Sequence, residues 1–322
     1  MQIKRLSNLI NAIYDGDPNL DINFISSLSN PKKNGIIYIS KINQLNLNII
    51  ENIGCILTNS EISKSLKNCN LLISDNPRLS FALLTQIFKK ANSFNYINEQ
   101  KNISKNHIQI GENSSIGENF SYGLNVIIDD NVSIGNNVRL GHNVVLHNNT
   151  LIGDNVIIES GSIIGSEGFG NVQNLNKTWT HIEHLGSVVI HNNVQIGANC
   201  CIDRGTIDNT IIEKGVIIDN LVHIAHNVKI GENTAIAAKV GIAGSSTIGK
   251  RNMIGGMVGI VNHIRTVDDV IISATTTVNK DITEPGVYTG IFPVSKHSKW
   301  KRIALWITKL DKIVKFLKIK KI

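Results

Sequence analysis

The sequence predicts a mainly β protein whose largest part is a parallel β-helix of six-residue repeats. Three observations carry this. From Ile110 an aliphatic or aromatic residue recurs at every sixth position: Ile116, Tyr122, Ile128, Ile134, Leu140, Leu146, Ile152, Ile158 and Ile164. After a break over 166–187 the period resumes at Ile190, Ile196 and Ile202, gains four residues, and runs on through nine consecutive hexads that each begin with Ile, from Ile212 to Ile260. The fifth position is small or β-branched in most hexads (Val132, Val138, Val144, Val156, Val194, Val216, Val222, Val228, Val240), and the second is often Gly.

A fixed period sustained this long marks a solenoid. Each hexad reads as one short strand bent at a corner, with two side chains pointing inward and Gly or Asn supplying the positive φ of the corner. Three hexads close one triangular coil, so residues 18 apart stack about 4.8 Å from each other.

The flanks differ. Residues 1–100 read as a small α/β domain: an amphipathic helix over 5–14, short strands at 36–40, 55–59 and 70–75, and a second helix that Asp75-Asn76-Pro77 opens and that runs to Phe88. Glu284-Pro285-Gly286 breaks the repeats. Beyond it Trp300, Ile303, Ile307, Leu310, Ile313, Val314 and Leu317 follow at helical spacing with lysines between them. The expected organisation is therefore 1–100, an α/β domain; 101–290, the β-helix; and 291–322, a basic C-terminal helix.

Charge is local. The net +7 conceals ten Lys or Arg against the single acid Asp311 between Val294 and Ile322, which leaves the rest of the chain slightly acidic. That pattern fits a basic tail with an acidic partner and argues against a uniformly basic nucleic-acid binder. Loose contact of this tail with an anionic membrane surface is a further expectation. Cys55, Cys69, Cys200 and Cys201 have neither metal-ligand spacing nor a disulfide framework, and Cys200, at a fifth position, is expected in the core. No apolar stretch reaches the ~20 residues of a membrane span, and the start of the chain does not read as a signal peptide. A cytoplasmic, reduced protein is expected.

The repeat also serves as a ruler. His226 is the third residue of its hexad; 18 further on is Gly244, and another 18 gives Asn262, beside His263. These groups should share one edge of the prism. A His close to an exposed backbone N–H is a pairing suited to acyl transfer, with the imidazole taking a proton from the nucleophile and the N–H holding the oxyanion. Solvated histidines, or histidines in a contact between subunits, would also produce such a stack.

The I-G-x-N hexads resemble those of the hexapeptide acyltransferase superfamily, whose solenoid is a left-handed parallel β-helix. More narrowly, IDRGTIDNTIIEKGVIIDNLVHIAHNVKI (202–230), GSEGFG (165–170), NPRLSFA (76–82) and ITEPGVYTG (282–290) resemble the UDP-3-O-(3-hydroxyacyl)glucosamine N-acyltransferases of lipid A biosynthesis. The resemblance implies a general base at His226, a second functional His at His263, an important Asp at Asp219 and a backbone oxyanion donor at Gly244. Asn262 is a candidate substrate contact. The resemblance implies a 3-hydroxyacyl donor on acyl carrier protein, delivered on the carrier's own phosphopantetheine with no metal or redox cofactor. It also implies a UDP-3-O-acyl-glucosamine acceptor and a homotrimer, and it makes acyl carrier protein the acidic partner of the basic tail. In the first domain it points to uridine binding, with Tyr38 of Asn34–Ile39 as the candidate aromatic. His223 departs from the pattern, standing where many relatives carry an amide or another polar residue.

Rival readings are a related hexapeptide O-acyltransferase, a γ-carbonic-anhydrase-like zinc enzyme using His142 and His147, and a non-catalytic β-helix. The separate first domain disfavours the first.

Overall fold

The computed structural model describes residues 1–28, 30–41, 47–88, 97–98, 107–290 and 294–316. The chain divides into two compact units, Met1–Ser93 and Phe94–Ile322. The boundary expected near residue 100 lies outside the described residues.

The first unit contains helix α1 (Ile3–Leu9), strands β1 (Ile13–Asp15), β2 (Phe24–Ile25) and β3 (Gly35–Tyr38), helix α2 (Leu47–Asn52), strand β4 (Cys55–Thr58), helix α3 (Ser60–Ser63), strand β5 (Leu71–Ile73) and helix α4 (Pro77–Phe88). The sheet order is β1-β5-β4-β3-β2, with β1 alone antiparallel to its neighbour. Ile3 and Leu6 of α1 and Leu84 of α4 join Ile36, Leu57 and Leu72 of the sheet in one core. α4 starts where its sequence says it should: Pro77 takes the first helical position and Asn76 Oδ1 accepts the Leu79 N–H at 3.1 Å.

The helix expected over 5–14 is displaced. It begins at Ile3 and ends at Leu9, and Asn11 adopts φ 51°. A residue in that left-handed conformation stops a helix, and Ile13–Asp15 then pairs with Leu71–Ile73 as an edge strand.

In the second unit the hexads fold as a parallel β-helix with three sheet faces. Strand partners are 18 residues apart, as in Ile128↔Leu146 and Ile134↔Ile152. The ladder continues across both breaks, with Ile152↔Ile190 and Ile190↔Ile212, so the additional residues loop out at the cost of one register irregularity between Ile164 and Ser166. First and fifth positions form one continuous core from Phe120 to Ile282. Each buried Ile contributes about 1.5–3 kcal/mol. Cys200 lies in this core, and burial pushes its thiol pKa up. Where a fifth position is a hydroxyl, it bonds inside the coil: Ser162 Oγ donates to the Gly197 carbonyl and Thr234 Oγ1 to that of Gly249. Ile110, on the terminal strand of its sheet, is 50 % exposed.

Asn and Gly divide the corner work differently from the expectation. The positive φ falls at the fourth position, mostly on Asn (Asn113, Asn119, Asn137, Asn155) and on Gly161 and Gly215. The second-position glycines within the unbroken runs have ordinary φ. They are there because the next coil passes too close: a Cβ on Gly117 would lie 2.6 Å from the Gly135 carbonyl carbon.

The C-terminal segment forms two helices, α5 (His297–Ile307) and α6 (Leu310–Phe316), rather than the single helix expected. Trp300, Trp306, Leu310 and Phe316 are exposed; Leu317 lies outside the described residues. No helix among the described residues is long and apolar enough to cross a membrane.

Candidate active site

His226 follows the strand His223–Ile224 on the face whose ladder runs Cys201, His223, Gly241, Gly259, Thr277. With Gly244, Asn262 and His263 it lines a cavity of about 650 Å³ that also includes Phe169, Asp203, His223, Ala225, Ala243 and Val261. The ruler therefore brings together the four residues it selected on this edge.

The imidazole of His226 is held from one side. Its Nδ1 lies 3.1 Å from Asn227 Oδ1 and 3.5 Å from Thr206 Oγ1. Asn227 is itself locked: its Oδ1 accepts the Thr206 N–H, its Nδ2 donates to the Asp208 carbonyl, and its N–H donates to Thr210 Oγ1. Because Asn227 offers an oxygen, His226 carries its proton on Nδ1 and keeps Nε2 as the basic lone pair. Thr206 and Asp208 come from the break at 203–211, so that insertion supplies the frame that orients the ring.

Nε2 faces Gly244. A Cβ there would lie 2.5 Å from it, so residue 244 must be glycine for the ring to stand where it does. In the first repeat run, third-position N–H groups donate to the side chain 18 residues on: Glu112 to Asp130, Glu118 to Asn136, Asn136 to Asp154. Gly244 has Asn262 at that distance, yet its N–H donates to no acceptor among the described residues. An uncommitted donor thus stands beside an oriented base. His263 occupies a corner at φ 60° and donates its N–H to the Gly244 carbonyl, fixing the peptide from the other coil.

Gly241 and Gly259 are different from the structural glycines. Both have ordinary φ, and a Cβ on either would meet nothing within 4 Å. Neither backbone geometry nor packing requires glycine at these positions. Together with Ala225 and Ala243 they leave an open floor beside His226.

Asp203 was not singled out from the sequence. It is 5 % exposed, accepts a hydrogen bond from Ser166 Oγ at 2.9 Å, and lies 3.6 Å from His223 Nε2. Burial pushes its pKa up against the opposing pull of Ser166 and of the nearby histidines. The departure at His223 thus has a partner in this structure. Asn227, Asp203 and the buried His184 all escaped sequence reasoning; the D of IDRG and the N of IAHN were the available signals for the first two.

Asp219 does not join this cavity. It lines a depression on another face with Gln195, Ile217, Ala235, Met253 and Ile271, and its Oδ1 accepts the Asn220 N–H at 2.7 Å. Tyr38, in the first unit, is half-buried and stacks on Phe81 of α4, ring centroids 5.2 Å apart. His142 and His147 are engaged elsewhere: His142 Nδ1 accepts the Leu124 N–H and His147 Nδ1 lies 2.9 Å from Asp129.

Comparison with known proteins identifies the family and the fold. The family model for the bacterial transferase hexapeptide (six repeats) matches residues 131–166 and 209–244. A UDP-3-O-acylglucosamine N-acyltransferase of Bordetella avium is 45 % identical over 152 residues, covering 46 % of this chain and 42 % of that protein; several curated relatives are matched over slightly under half of their length in this way. A crystal structure of a UDP-N-acetylglucosamine acyltransferase superposes with a TM-score of 0.53 at 25 % identity, over 68 % of this chain and 83 % of that one. The corresponding enzyme of Campylobacter jejuni, at 20 % identity and TM-score 0.51, over 63 % and 84 %, shares the fold. The Campylobacter lari protein is 41 % identical over 306 residues, 93 % of this chain and 95 % of its own length. By that full-length match, the chain belongs to the UDP-3-O-acylglucosamine N-acyltransferase family.

Proposed function

We propose that this chain transfers a 3-hydroxyacyl group from the phosphopantetheine thioester of acyl carrier protein to the 2-amino group of UDP-3-O-acyl-glucosamine, a step of lipid A biosynthesis in the cytoplasm. The observation that carries the reading is the pairing of His226 Nε2 with the uncommitted Gly244 N–H at the end of an open, glycine-floored groove. The amine attacks the thioester carbonyl while Nε2 takes its proton, a contribution of about 10²–10⁴ in rate. The Gly244 N–H holds the tetrahedral oxyanion. Collapse breaks the C–S bond and forms the amide, and the proton passes from His226 to the departing sulfur, leaving the carrier's free thiol. No resident cofactor takes part. The acyl tail lies over Gly241 and Gly259, and Asn262 and His263 contact substrate.

The working form is a homotrimer. Ile217 and Met253 are 48 % and 51 % exposed on the face that carries Asp219. A neighbouring copy covering this apolar column would bring Asp219 to a site it does not reach within its own chain. The half-buried Tyr38 serves the uridine, and the lysines of α5 and α6 dock the acidic carrier.

The test is turnover with purified carrier protein bearing 3-hydroxyacyl chains of graded length, with product identified by mass and by resistance to base hydrolysis. An amide product is expected. An ester would replace this reading with an O-acyltransferase, and absence of transfer would overturn it.

A further inference from the structure

The base His226 has a second histidine packed behind it. His184 closes the inserted segment 166–187, and it is 3 % exposed although Glu183 and Leu185 on either side face solvent. Among the described residues neither ring nitrogen has a partner at full hydrogen-bond geometry, and the Ile182 carbonyl is a weak acceptor beside the ring. Its ring stands edge-on to that of His226, centroids 5.2 Å apart and planes at 69°. The GSEGFG loop closes over both rings. A Cβ on Gly168 would come within 3.0 Å of His184 Nε2 and of His226 Cβ, and one on Gly170 within 2.6 Å of His184 Cε1.

Burying a polar group without a partner costs about 1–3 kcal/mol. An apolar side chain would fill this space without that cost, so packing alone does not account for an imidazole here. The groups that face it are His226, His181 and Glu167, with Asp203 also within electrostatic reach. Burial pushes the His184 pKa down, and His226 and His181 push the same way against Glu167 and the nearby Ile182 carbonyl. An uncharged neighbour is what the base requires, because a cation at this distance would oppose the proton His226 must accept.

We propose that His184 is a positioning residue for His226, bracing the imidazole edge-on under the 165–170 loop so that Nε2 stays turned toward Gly244. The proposal rests on the reading of His226 as general base. It makes the 166–187 insertion a functional part and pairs it with the 203–211 insertion, which holds the same ring through Asn227.

The test compares His184→Ala and His184→Gln in the full chain. His184→Ala is expected to lower kcat by roughly tenfold to a hundredfold through misplacement of the base. KM for both substrates should stay within about twofold, and the cavity that Ala leaves is read separately as a change in Tm. His184→Gln, which restores a planar polar group, is expected to recover most of kcat. Nitrogen NMR of histidine-labelled protein should show the single Nδ1–H tautomer of His226 give way to a mixture in His184→Ala. An unchanged kcat, a rise confined to KM, or an unchanged His226 tautomer would each overturn the proposal. If the wild-type chain moves no acyl group, the reading of the base fails separately, and the NMR comparison still decides whether His184 braces the ring.

Discussion

The two repeat runs share a backbone and differ in what they place on it. In the first run, 110–164, fourth positions are Asn from Asn113 to Asn155, and neighbouring coils link them side chain to side chain, as Asn119 to Asn137 and Asn137 to Asn155. In the second run Asn227 and Asn233 keep the pattern, while Leu221, Lys239, Ser245, Arg251, Met257 and His263 take the same left-handed corner at nearly the same φ. Outward positions on the site face change too, from Ile127, Val145 and Ile163 to His223, Gly241 and Gly259. Inward first and fifth positions do not change character. The coil is therefore held by its core and its ladder, and the corners of the second run accept residues that the left-handed region disfavours by about 1–2 kcal/mol each. The outward changes from Ile127, Val145 and Ile163 to His223, Gly241 and Gly259 lie in the cavity, whereas the corner departures are spread over all three edges and only His263 lines it.

This contrast can be broken at three places. The largest effect is expected at Gly244, where an added methyl must displace His226 Nε2. Gly244→Ala should lower kcat by roughly a hundredfold with the thermal transition intact, whereas Gly241→Ala, which meets open space, should fold and melt as the parent does. A smaller and more selective effect is expected from Gly259→Leu. Filling the groove floor should cost the longest acyl chains roughly tenfold in kcat/KM while shorter chains are spared, measured across the graded donors. The smallest is a test of the corners themselves. Leu221→Asn should stabilise the chain by about 1 kcal/mol and raise Tm, while Asn137→Leu should lower it by a similar amount and also break the Asn119–Asn137–Asn155 ladder. Equal and negligible shifts for both corner variants would mean that the two runs tolerate corner residues alike.

The legible part of this molecule is its periodic part. Ile at first positions and Val at fifth positions predicted the core except at the first coil, where Ile110 is exposed and Ile116 and Tyr122 are partly buried, and the same period put His226, Gly244, Asn262 and His263 into one cavity. The start of α4 was equally readable, because Asn76 and Pro77 have local jobs that do not depend on tertiary contacts. What escaped lies where no period runs. Thr206, Asp203 and His184 reach the site through the two insertions, and spacing says nothing about where a loop returns; Asn227 is an ordinary corner of its hexad whose link to His226 shows only in the side-chain contact. The edge strand Ile13–Asp15 was hidden for a related reason: three residues carry too little pattern to outweigh the apolar spacing of the helix before them. The glycines also needed coordinates to be sorted. Gly117 is required by the coil beneath it, Gly244 by an imidazole, and Gly259 by nothing the fold contains.

The most direct test of the central claim is the turnover of His226→Ala beside the parent, each with its melting transition recorded. A loss of about 10²–10⁴ in kcat is expected with Tm unchanged, since His226 points out of the core and its hexad keeps Ile224 and Val228 in place. Full turnover in a correctly folded His226→Ala would contradict it.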